Sequence, residues 1–217
     1  MGVPVMIAPD LRPSWRGWIH AAAFAFAVPG LLVLLVRAEG PLAIAAVTVY
    51  GLGLVIALGT SACYHRLRCA QRTRLILRRM DHSTIFMLIA GSYTPVCLIA
   101  LPPTWGIPLL CVVGAGSLLG IALKQFAFAR FPMLQQALYP LLGWAAVVTM
   151  PALVRSLDAA ELGLLVAGGL MYTFGIPVLF LRRPNPWPST FGYHEIWHVA
   201  TVLGAACHFA LVVLLLR

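Results

Sequence analysis

The sequence predicts an all-α polytopic membrane protein, a seven-transmembrane-helix bundle with its N-terminus cytoplasmic and its C-terminus outside. Three observations carry that expectation. Apolar side chains make up 61% of the 217 residues and charged ones 10%, far from the roughly 45–50% and 25% of soluble domains. The mean hydropathy is +0.93, and the apolar residues fall in runs that reach the ~20 residues a helix needs to cross ~30 Å of hydrocarbon. The charges sit in short clusters between those runs. A formal net charge of +9 would suggest a nucleic-acid partner in a soluble chain. Here it belongs to loops, so no nucleic acid is expected and membrane lipids are.

The first run, 18–36, lies between Arg16 and Arg37 and is long for the apolar core of a secretory leader, so it is expected to remain as the first span. The second, 42–64, ends in Ser61-Ala-Cys-Tyr-His65 and an arginine-rich stretch. The third, 82–101, opens on Asp81 and His82. The fourth, 106–123, contains Gly116 and Gly120, a small-xxx-small pair expected to seat a neighbouring helix inside the bundle. The fifth and sixth cover 137–154 and 162–181. The seventh, 192–216, opens on His194-Glu-Ile-Trp-His198. Pro29, Pro95, Pro151 and Pro177 mark kinks, because proline removes an intrahelical donor. The connections are short and no repeat is visible, so residues 1–217 form a single seven-helix transmembrane domain on this reading. Five cysteines without a CxxC pair indicate neither a disulfide framework nor a thiolate metal site.

Orientation follows from the basic loops, which stay cytoplasmic. Arg12, Arg16, Arg66, Arg68, Arg72, Arg74, Arg78, Arg79, Lys124, Arg130, Arg182 and Arg183 fall on one side, and Arg37, Arg155 and Arg217 on the other. An even helix count would destroy this alternation. Anionic headgroups could attract the six-arginine stretch, but topology alone explains it. The expected location is the cell membrane.

Ionisable groups at membrane depth mark a functional interior, since each costs at least ~2.5 kcal/mol at a lipid-facing helix centre. Topology places His65, Asp81, His194 and His198 in one inner-leaflet layer. Residues four apart share a helix face, so His194 and His198 can grip one ion. His65 would complete a three-histidine set that leaves a fourth position to water, the arrangement of a catalytic zinc; neutral imidazoles favour zinc. Ser61, on the face of His65, is placed to hydrogen-bond that water or a developing oxyanion. Asp81 can take a proton from it or orient a ligand histidine. His20 and His208 read as packing residues. His194-Glu195-x-x-His198 matches a metalloprotease helix, yet Gly204 stands where the longer motif has its third histidine and Thr201 where it has glycine. Glu195, about 100° around the helix from His194, is expected to face a neighbouring helix or interfacial water.

With these residues in view, the chain resembles the haemolysin III branch of the progestin and adipoQ receptor family. The likeness lies in Ser61-Ala-Cys-Tyr-His65, the segment from Asp81 to Pro95, and His194-Glu-Ile-Trp-His198, in that order along seven spans. The resemblance implies zinc on His65, His194 and His198 with Ser61 and Asp81 beside the water. It also implies kinship with membrane hydrolases such as alkaline ceramidases, and a part in membrane homeostasis. The leading function is therefore zinc-dependent hydrolysis of a lipid amide or ester, with the acyl chain entering between helices. A non-catalytic sensor of membrane state with structural zinc is the alternative. A pore-forming haemolysin is the third, and the apolar outer halves of the spans speak against it. The lipid and the oligomeric state stay open.

Overall fold

The computed structural model describes residues 13–217, and the described residues fold into helices with no strand. Seven helical spans are long and apolar enough to cross a membrane: α1 Trp18–Arg37, α2 Gly40–Arg66, α3 Gln71–Ala100, α4 Pro103–Phe126, α5 Pro132–Ser156, α6 Ala159–Leu181 and α7 Tyr193–Leu215. Large apolar side chains such as Phe26, Leu118 and Val148 point outward, as they must where lipid replaces water. Arg12 lies outside the described residues.

Two spans depart from the expected boundaries. α3 begins at Gln71 rather than near 82, so Arg72, Arg74, Arg78 and Arg79 ride on its first turns instead of in a loop. Arginine favours helix, and its long stem lets the charge leave the apolar layer. The guanidinium of Arg74 sits 5.8 Å from the Tyr64 ring and that of Arg78 5.0 Å from the Phe128 ring. α5 starts at Pro132 rather than near 137 and is broken: α-helix to Gly143, 3-10 helix over Ala145–Thr149, and α-helix again from Met150.

Broken backbone at membrane depth must find its hydrogen bonds inside the protein. Tyr93 of α3 supplies them, its one hydroxyl hydrogen shared between the carbonyls of Leu142 and Gly143 at 2.9 Å each and its oxygen accepting from the Ala146 N–H at 2.9 Å. Pro95 and Pro151 stand at the two irregular segments, Pro95 opening the π-helical Val96–Ala100 turn. Pro29 and Pro177 lie inside α1 and α6.

Consecutive spans are antiparallel neighbours, α1 on α2, α2 on α3, α3 on α4 and α6 on α7, and α7 returns to touch α1. One core is built from Ala27, Val47, Tyr50, Leu54, Ala205 and Val212 of α1, α2 and α7. A second joins Tyr93, Cys97, Val113, Leu153 and Leu211 of α3, α4, α5 and α7. Gly116 faces Leu142 and Gly120 faces the Phe86 ring, where a Cβ would come within 2.6 and 2.4 Å, so the small-residue pair is consumed within the bundle. His208 packs by Gly168 and Tyr172, as expected of a packing residue.

Candidate metal centre

α2 ends and α7 begins at the same end of the bundle, which brings three imidazoles together. His65 comes from the last turn of α2, and His194 and His198 from the first two turns of α7. One ring nitrogen from each lies within 4.8 Å of the others. The Nε2 atoms of His65 and His194 are 3.3 Å apart. Two nitrogens held at about 2.0–2.1 Å from a tetrahedral ion stand roughly 3.3 Å from each other, so this edge has the right length. His198 is 2% exposed, and its Nδ1 has no hydrogen-bond partner among the described residues. A buried polar atom left unpaired is costly, and three neutral imidazoles turned on one point are a donor set for a divalent cation.

Ser61, one turn before His65, is buried beside them. Its hydroxyl is within hydrogen-bonding reach of Asp81, which α3 delivers from the side. The carboxyl side chain of Asp81 is 14% exposed. His82, the next residue, keeps its Nδ1 3.8 Å from the Asp81 carboxylate, while the same nitrogen bonds the Arg78 carbonyl at 2.8 Å and the ring meets Phe128 edge-on.

One member was missed in the sequence. His20 of α1 is not a packing residue. Its ring stacks on His198 with centroids 3.8 Å apart and planes 2° from parallel. Nδ1 is 2.8 Å from Ser61 Oγ, and Nε2 is 3.1 Å from Thr201 Oγ1. These bonds fix the ring on both sides. Thr201 gives its own hydrogen to the His198 carbonyl at 2.9 Å, so Nε2 donates to Thr201 and Nδ1 accepts the hydrogen of Ser61. The signal was available, since His20 lies two residues into its run and thus in the same inner layer as His65.

The chain before α1 closes this end. Ser14 and Trp15 donate backbone bonds to the carbonyls of Ser189 and Thr190 at 3.1 Å each. Arg16 pairs with Glu195, which is 1% exposed and also accepts from the Gly192 N–H at 2.8 Å. Glu195 is thus committed to a cap and an ion pair, which removes it from the metalloprotease role. Gly17 follows at φ 81°, against the backbone of His65, where a Cβ would lie 2.7 Å from the His65 Cβ. Arg66 then covers the Trp18 ring at 3.6 Å.

The kinship extends over most of the chain. Residues 11–209 match the family described as haemolysin-III related. The chain belongs to that family. It is 31% identical over 193 residues to the hemolysin-3 homolog of Bacillus subtilis, covering 88% of this chain and 87% of that protein. Hemolysin-3 of Bacillus cereus is also 31% identical, over 88% of this chain and 85% of its own length. The adiponectin receptor protein of Drosophila melanogaster is 23% identical over 73% of this chain and 39% of its own. This family member is a multi-pass membrane protein whose histidine cluster could hold a metal.

Proposed function

We propose that the protein is a zinc-dependent hydrolase that cleaves an amide or ester bond in a lipid of the cell membrane. The observation that carries the reading is the convergence of His65, His194 and His198 on one point with Ser61 and Asp81 alongside. Zinc held by the three imidazoles would supply a Lewis acid and lower the pKa of water. Asp81, acceptor-only when ionised, takes the proton of the attacking water and returns it to the leaving nitrogen or oxygen as the acyl bond breaks. Ser61 would donate to the developing oxyanion once its hydrogen turns from His20 Nδ1. His20 holds the Ser61 oxygen at 2.8 Å, so the hydroxyl is oriented before substrate arrives.

An apolar groove of about 350 Å³ supports a lipid substrate. Phe24, Val55, Ile56, Gly59, Leu77 and Met80 line it, and Met80 is the chain neighbour of Asp81. An acyl chain lying there would bring its carbonyl toward the site from within the bilayer. A structural-zinc sensor is the second reading, favoured by the way His20, His65 and His198 tie α1, α2 and α7 together.

The deciding experiment incubates zinc-loaded protein in micelles with ceramide, other N-acyl lipids and phospholipids and measures released fatty acid by mass spectrometry. Wild type should turn over at least one lipid. Asp81→Asn should keep its zinc and lose between about 100- and 10,000-fold in rate. Zinc-loaded wild type and Asp81→Asn that are equally inert, or equally active, would overturn the hydrolase.

A further inference from the structure

A second polar feature lies at the same end of the bundle, against the His82 side of α3 and lined by none of His65, His194 and His198. The α4–α5 connection folds under the first turns of α3 and borders an open hollow of about 470 Å³ lined by Arg79, Phe126, Ala127, Phe128, Ala129 and Arg130. Arg79 and Arg130 are exposed within it. Arg78 and Lys124 stand behind, their charges 5.0 and 5.4 Å from the Phe128 ring. Lys124 is only 6% exposed, and no carboxylate pairs with any of these four cations among the described residues. Among the described residues acid is scarce at this end. Glu195 is occupied by Arg16, and Asp81 faces Ser61; Glu39, Asp158 and Glu161 lie at the opposite end.

The loop is held in shape. Gln135, 1% exposed, donates to the carbonyls of Ala127 and Arg130. Arg79 touches the Gln125 carbonyl at 3.4 Å, which sets its guanidinium at the cavity wall. Two arginines lining the hollow, with Arg78 and Lys124 against its Phe128 wall and no paired carboxylate among the described residues, are a site for an anion that accepts several hydrogen bonds, and guanidinium geometry suits phosphate.

The surroundings choose between a soluble anion and a lipid. Phe126 lines the cavity and is 91% exposed, and Phe131 and Met133 beside it are 54% and 80% exposed. An apolar rim on a basic pocket belongs at the headgroup level, with the rings in the acyl boundary and the cations among the phosphates. We propose that this cavity binds the phosphate of an anionic phospholipid from the inner leaflet, at a site separate from the histidine cluster. A cluster that served topology alone would need neither a shaped cavity nor a buried lysine behind it.

The test titrates the purified full chain in a neutral detergent with short-chain phosphatidylglycerol and phosphatidylcholine, and counts bound lipid by native mass spectrometry. Phosphatidylglycerol should bind at least tenfold more tightly than phosphatidylcholine. Arg79→Gln with Arg130→Gln should abolish that preference, whereas Arg182→Gln with Arg183→Gln, an equal charge loss on the same face, should leave it intact. Equal weakening by both pairs would reduce the site to diffuse attraction and overturn the proposal. Displacement of the lipid by millimolar inorganic phosphate at constant ionic strength would assign the cavity to a soluble anion and overturn it as well. Loss of lipid hydrolysis has no bearing on this readout.

Discussion

Gly17→Ala tests the closure of the histidine centre with one methyl group. Gly17 has φ 81°, and its added Cβ would meet the Cβ of His65 at 2.7 Å and the Cγ of Arg66 at 2.9 Å. An L-residue in the left-handed region costs about 1–2 kcal/mol. Carbon atoms prefer about 3.5–4.0 Å, so the His65 backbone must retreat by roughly 0.8–1.3 Å. Metal–ligand distances tolerate only about ±0.2 Å, and the displaced ring falls well outside that. Gly40→Ala is the matched control, because Gly40 has φ 79° with nothing within 4 Å of the new Cβ. It carries the conformational cost without the collision. Zinc competition against a chromophoric chelator should show Gly17→Ala weakened at least tenfold and Gly40→Ala unchanged. Thermal melts should show both lowered, Gly17→Ala further by the ~1–3 kcal/mol of an overpacked site. Wild-type zinc affinity in Gly17→Ala, or the same loss in Gly40→Ala, would refute the reasoning.

Four further outcomes follow from the same geometry. His65→Ala and His198→Ala should each purify with less than a tenth of the wild-type zinc, and stoichiometric metal in either would break the ligand set. His20→Phe keeps a ring against His198 but loses both hydrogen bonds, so zinc content should hold while lipid turnover falls about 10- to 100-fold through misplacement of Ser61; unchanged turnover would return His20 to a packing role. Arg16→Met strands the buried Glu195 carboxylate and should destabilise by about 3–5 kcal/mol, with partial recovery in the Arg16→Met, Glu195→Leu double variant; a melt unchanged by Arg16→Met contradicts the pairing. Gly120→Ala drives a methyl to 2.4 Å from the Phe86 ring and should cost about 1–3 kcal/mol, measurable as a lower unfolding temperature in detergent.

Span number, helix type and the shared depth of His65, Asp81, His194 and His198 were legible because each is a one-dimensional property. A membrane leaves helices and closed barrels as the only spanning structures, so an apolar run of about 20 residues names a helix and its ends name their own layer. The i, i+4 spacing of His194 and His198 fixed their common face for the same reason. Boundaries were less legible. The arginines at the start of α3 look like a loop by hydropathy, although their backbone continues as helix and only their charges leave the apolar layer. The break in α5 depends on Tyr93, about 50 residues earlier, accepting and donating across the gap.

What only the tertiary structure decided is which side of each helix meets which neighbour. Depth placed His20 and Glu195 in the site's layer without saying where they point. The rotation of α1 turned His20 onto His198 and Ser61, and the chain before α1 drew Glu195 onto Arg16. The left-handed Gly17 let that chain lie against His65. Azimuth about a helix axis is set by packing partners far apart in the chain, whereas the sequence reports only the position along the axis.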